Sequence, residues 1–203
     1  MQDDEKAQMI STCVAVLEAY IVGAKPNNGI GAYGSMQRLA DTLTVAGWKV
    51  LGSGSYGCVL KSPHLEGVVF KFGVCAYDAA VEFALWARAN QHLPHLPEIL
   101  DLRRFPQGFV YVMPEYFPCP EVEEVQEKRR VFERILQGNN CWGDPVTDEE
   151  RAAYPTAVAM QQYFENCCGV DLHAWNVMLD AEGNMIITDP YATDRTAPNG
   201  EEN

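Results

Sequence analysis

The chain predicts an α+β fold: two helices, then five short strands in an antiparallel sheet interrupted by one helix, then a reduced, mainly helical part. Three observations predict it. Apolar residues recur at helical spacing through the first fifty positions, the period shortens to that of strands from Trp48 onward, and helical spacing with mixed charge returns beyond Pro120.

Taken in order, Ile10, Val14, Leu17 and Ile21 form one helix face, and Met36, Leu39, Ala40 and Leu43 repeat it behind Ser35, a candidate N-cap. The turn-rich AKPNNGIGAYGS separates these two helices, which are assigned to packing. The runs WKVL, CVLK and VVFKFG, divided by GSGSYG and PHLEG, read as a meander of three strands. Ala80, Phe83, Ala84 and Ala87 predict a helix over about 78–91, and EILDLRRF and GFVYVMPEY, joined at PQG, predict two further strands. EVEEVQEKRRVFERILQG alternates sign and carries Val122, Val125, Phe132 and Leu136, as a half-exposed helix does. GNNCWGDPVTDEE reads as a loop and TAVAMQQYFENC as a buried helix. The expected organisation is a helical extension (1–47), a strand-rich lobe (48–118), a reduced helical lobe (119–192) and a flexible tail (193–203).

With 203 residues and 47% hydrophobic content the chain is long enough for one domain or two small lobes. Its acidic start, MQDDEKAQM, lacks the basic charge of a secretory signal, and CVAVLEAYIVGA is too short to span a bilayer. No membrane association is expected. Seven scattered cysteines without a C-x-x-C pair fit a reducing cytoplasm rather than zinc or a disulfide framework. A net charge of −13 argues against nucleic acid as a direct partner and suits basic protein partners, or simply solubility.

The chemistry-bearing residues begin with LGSGSYGCV. Gly52, Gly54, Gly57 and Val59 fall in the pattern G-x-G-x-x-G-x-V between two predicted strands. Such glycines, with Ser53 and Ser55 between them, permit a backbone that closes over phosphates, or make an ordinary hairpin. A strand follows them, which argues against the dinucleotide-binding arrangement, where a helix must follow. Lys71 stands in an apolar strand and is either a surface residue or a phosphate ligand. Near the C-terminus, VDLHAWNVMLDAEGNMIITDPYA holds Asp171, His173 and Asn176 in one loop and Asp189 at the end of the apolar run MIIT.

Taken together these pieces resemble a protein kinase, and more narrowly the early serine/threonine protein kinases of T-seven-type phages. The resemblance rests on GWKVLGSGSYGCVLKSPHLEGVVFKFG, LPEILDLRRFPQGFVYVM and DLHAWNVMLDAEGNMIITDP. It implies a kinase-like fold that binds ATP and Mg2+. Asp171 would accept the proton of the substrate hydroxyl, Lys71 would hold the nucleotide phosphates, and Asn176 and Asp189 would bind the metal. Glu82 on the following helix is the natural partner of Lys71, the alternative being a solvated charge. The backbone from Met113 through Glu115 to Phe117 would hydrogen-bond the adenine. His173, in place of the usual lysine, either neutralises the γ-phosphate or is a structural loop residue. The family implies phosphorylation of host proteins early in infection, including transcription and translation components, and host shutoff. Longer relatives carry a basic segment after the kinase portion, which is not expected here.

The departures from ordinary kinases are equally specific. Gly169 and Val170 replace the His-Arg before the catalytic aspartate, Pro190 and Tyr191 replace the Phe-Gly of D-F-G, and no A-P-E sequence follows. Substrate recognition is therefore expected on the N-terminal helices or the acidic 121–134 helix. Two other classes stay open: a catalytically weak kinase-like inhibitor with an acidic binding surface, and a small-molecule phosphotransferase.

Overall fold

The computed structural model describes residues 3–23, 32–54, 57–138, 145–165 and 168–192. The chain divides into two units, Met1–Ala89 with Pro97–Glu115, and Asn90–Leu96 with Tyr116–Asn203.

The first unit is built on β1 (Lys49–Ser53), β2 (Gly57–Lys61), β3 (Val68–Gly73), β4 (Asp101–Phe105) and β5 (Gly108–Pro114), ordered β1-β2-β3-β5-β4 and antiparallel throughout. It also contains α1 (Asp3–Gly23), α2 (Ala32–Val45) and α3 (Ala79–Ala89). Side chains along a strand alternate between faces, and here the alternation assigns two jobs. Cys58, Leu60, Phe70, Phe72, Val110 and Val112 share one core with Ile10, Val14, Leu17 and Ile21 of α1 and Met36, Leu39 and Leu43 of α2. Val59, Lys71 and Tyr111, paired across neighbouring strands, fall on the other face. Arg103 ties α1 to β4, donating to Ser11 Oγ at 2.8 Å and facing Glu18 at 3.6 Å.

This arrangement corrects two expectations. The N-terminal helices do not form a separate extension over 1–47, because their apolar faces are completed only by the sheet. Nor does α2 begin behind Ser35: it starts at Ala32, one turn earlier than the candidate cap.

The second unit carries α4 (Glu123–Gln137), α5 (Asp148–Ala153) and α6 (Pro155–Phe164). It also has a three-stranded sheet, β6 (Phe117–Pro118), β8 (Val177–Leu179) and β9 (Met185–Ile187), and a pair, β7 (Gly169–Val170) with β10 (Tyr191–Ala192). Asp148–Glu150 form a helix rather than the expected loop. Thr147 Oγ accepts from the Glu150 amide at 3.1 Å while Glu150 Oε2 accepts from the Thr147 amide at 2.9 Å, a capping box that satisfies two otherwise orphan donors. Residues 90–96 join this unit through hydrogen bonds: Thr156 donates to the Pro94 carbonyl (2.7 Å), His95 Nδ1 to the Met185 carbonyl (2.9 Å), and the Ile187 amide to the His95 carbonyl (2.8 Å). A carbonyl only accepts, so His95 carries its proton on Nδ1. The lobe boundary therefore follows Glu115, not residue 118, and the expected tail at 193–203 lies outside the described residues.

Among the described residues no helix is long and apolar enough to cross a membrane.

If α1 is part of the sheet core, Leu17→Ala should cost about 2–5 kcal/mol. Urea unfolding followed by circular dichroism should show a clearly lowered midpoint; an unchanged midpoint would mean that α1 adds nothing to the stability of that core.

Candidate active site

In the first unit the glycine motif forms the hairpin between β1 and β2, with an irregularity between Val50 and Gly52 and the Gly54 amide closing on the Gly57 carbonyl at 2.8 Å. Gly52, Ser53 and Gly54 are exposed; Ser55 lies outside the described residues. Lys71 is 7% exposed, so it is no surface strand residue. It pairs with Val59 on one side and Tyr111 on the other, and its ammonium lies 6.0 Å from the Tyr111 ring centre. A side chain at Gly57 would meet Lys71 Cε at 3.7 Å and the Phe72 carbonyl at 3.3 Å. Glycine at 57 thus avoids a tight approach to the Phe72 backbone, while the Lys71 stem lies at ordinary contact distance.

Glu82, expected beside Lys71, and Glu115, expected at the adenine, are engaged elsewhere in this unit. Glu82 pairs with Arg104 of β4 at 2.8 Å; α3 is too short and too apolar around it to offer another acid, and Arg104 arrives from the neighbouring strand. The Glu115 amide donates to the Gly67 carbonyl at 3.0 Å, and its carboxylate pairs with Lys61, which removes that amide from the donors assigned to adenine. Met113 is buried and sits opposite Val69.

The second unit brings Asp171, His173, Asn176 and Asp189 together through a lacework of backbone bonds. The Asp171 amide donates to the Pro190 carbonyl at 2.8 Å, and the Asn176 carbonyl accepts from both the Thr188 amide (2.9 Å) and the Thr188 hydroxyl (3.1 Å). Asp189 lies between those two clamps. Within the loop, Asn176 Nδ2 donates to the Asp171 carbonyl at 2.7 Å, the Asn176 amide to the His173 carbonyl at 2.9 Å, and the Trp175 amide to His173 Nδ1 at 3.2 Å. His173 thus caps the short 3₁₀ turn Ala174–Asn176, which supports its structural role. The acceptor at Asp171 dictates which way the Asn176 amide faces, and leaves its Oδ1 as a free-standing oxygen ligand.

Three further residues hold this loop from outside. Arg129 of α4, largely buried, donates to the Leu172 carbonyl at 2.5 Å, to Glu133 at 2.6 Å and through Nε to Gln126 at 2.9 Å. Gln126 donates in turn to the Cys119 carbonyl (3.1 Å), and the Cys119 thiol to the Val177 carbonyl (3.5 Å). Burial pushes the Cys119 thiol above its ordinary range, which keeps its proton available for that bond. The loop is therefore gripped on both sides of its functional residues.

Chain and family model match over residues 4–202, to bacteriophage T7 protein kinase 0.7. The chain belongs to that family. The structure of the kinase PK-1 of Cydia pomonella granulovirus is similar over 77% of this chain and 55% of that one, with 14% identity and a TM-score of 0.39; the chain thus spans about half of that protein. No curated protein matches the chain.

In this chain the glycine and lysine positions and the Asp-to-Asn loop were visible as motifs. Arg129, Gln126 and Cys119 were not, because a helix of alternating charges signals surface ion pairs and nothing local marks the one arginine that turns inward. Thr188 stood within the I-T-D-P block, but its hydroxyl bond depends on a strand returning beside Asn176.

Arg129→Met is expected to slow phosphate transfer on the order of ten-fold or more, as loss of a supporting shell does, with Arg129→Lys intermediate. Steady-state rates equal in all three forms would show that the loop keeps its shape without this bond.

Proposed function

We propose that this protein kinase uses ATP and Mg2+ to phosphorylate Ser or Thr of host proteins early in phage infection, in the host cytoplasm. Components of transcription or translation are the candidate targets, and modulation or shutoff of host functions the consequence. The observation that carries this reading is the Asn176–Asp171 bond at 2.7 Å. It leaves an amide oxygen for a metal and ties the backbone of the exposed Asp171 to the far end of the loop.

In this reading Asp171 takes the proton of the attacking hydroxyl, and Lys71 with the glycine hairpin binds the nucleotide phosphates. Among the described residues no three His, Cys, Asp or Glu side chains form a metal cluster; one amide oxygen from Asn176 and one carboxylate from Asp189 suit magnesium, which keeps water and phosphate oxygens in its shell. When bound, the ion supplies charge neutralisation at the transferring phosphate.

The engagement of Glu82 with Arg104 and of the Glu115 amide with Gly67 favours a second reading, a weakly catalytic kinase-like protein that inhibits a host enzyme by binding. Labelled phosphate transfer from ATP to a host lysate separates the two. Wild type should label proteins, while Asp171→Ala and Lys71→Ala should each lose on the order of a hundred-fold or more. Equal labelling by all three would end the catalytic reading, and absence of a melting-temperature rise with millimolar Mg-ATP would favour the inhibitor.

A further inference from the structure

The loop that carries Asp171 also displays a large aromatic side chain. Trp175 is 63% exposed, whereas Leu172 and Val177 on either side of it are buried. Its backbone is not loose: its own amide is bonded to His173 Nδ1, the next amide to the His173 carbonyl, and the next carbonyl to Thr188. A tryptophan held out on an ordered turn loses little freedom when it binds, and such residues dominate recognition surfaces. Being four positions from Asp171, it stands where it would meet a substrate within a few residues of the accepted hydroxyl.

The net charge of the segment that carries it selects the occupant. Between Tyr116 and Ala192 there are fourteen Asp and Glu against five Lys and Arg. Those five are already engaged: Lys128 with Glu124, Arg129 with Glu133, Arg130 with Glu123 and Glu127, Arg134 with Glu150, and Arg151 with the Gln161 side-chain oxygen. The surplus is therefore carboxylate, and exposed Glu121, Glu149 and Glu165 are part of it. An acidic acceptor segment would be repelled, whereas a cation is attracted by the field and finds in the indole face its best aromatic partner.

We infer that Trp175 receives a Lys or Arg side chain of the substrate, so that this enzyme selects Ser or Thr hydroxyls flanked by basic residues. The inference rests on the kinase reading above and names the substrate class of the same site.

The test uses two labelled peptides of equal length around one serine, one with arginine at the flanking positions and one with citrulline, which keeps shape and removes charge. Binding is followed by fluorescence anisotropy and transfer by KM and kcat, for wild type, Trp175→Phe and Trp175→Ala. Wild type should favour the arginine peptide about ten-fold in both Kd and KM, the alanine variant should lose most of that preference, and the phenylalanine variant should keep part of it. Equal preference in wild type and Trp175→Ala, or a wild-type preference for the citrulline peptide, overturns the inference while transfer itself upholds the kinase reading. Arginine-selective binding that Trp175→Ala abolishes, with no transfer by wild type, upholds the contact and overturns the kinase reading instead.

Discussion

The carbonyl of Asn176 accepts two hydrogen bonds from Thr188, and the rest of the candidate site in the second unit depends on that junction. It joins the end of the Asp171–Asn176 loop to the residue preceding Asp189, while the Asp171 amide joins the loop's start to the residue following Asp189. Asp171, Asn176 and Asp189, separated along the chain, are thereby linked through backbone hydrogen bonds. Within the loop, two side-chain atoms are spent on holding it, Asn176 Nδ2 and His173 Nδ1, and the acceptor half of the Asn176 amide is left for a ligand.

Such a junction needs support, since a loop held only by itself would flex with its neighbours. Arg129 and Cys119 supply it at Leu172 and Val177. Both act on backbone carbonyls, so the side chains of the loop are free to vary in character. That freedom is what permits an exposed tryptophan and a capping histidine in a place where chemistry would otherwise limit the choice. Departures such as Gly169 and Val170 before Asp171 are compatible with this design, because β7 and β10 pair through backbone groups.

In the first unit a different constraint operates. Period-two alternation in β3 commits Phe70 and Phe72 to the core beneath α1 and α2, which turns Lys71 to the opposite face whatever its own solvation prefers. The helices thus matter to the site indirectly: they cover the apolar face and so set the register in which the lysine is presented. The burial of this lysine is thus a consequence of packing the aromatics.

Much of this was legible from one dimension. Strand alternation, helix spacing and the glycine pattern are local properties, so the five strands, the α3 and α4 segments and the order Gly52, Lys71, Asp171, Asn176, Asp189 could be read directly. The Thr147–Glu150 capping box was also local and was overlooked inside a loop-like composition. What only the tertiary structure decided is partnership. Glu82 faces Arg104 because β4 runs beside α3, Arg129 turns inward because the catalytic loop passes α4, and the N-terminal helices close over the sheet because their apolar faces have no other cover. Spacing along a chain specifies which face a side chain occupies, but its partner is set by the segment that folding brings alongside, and that depends on the whole core at once.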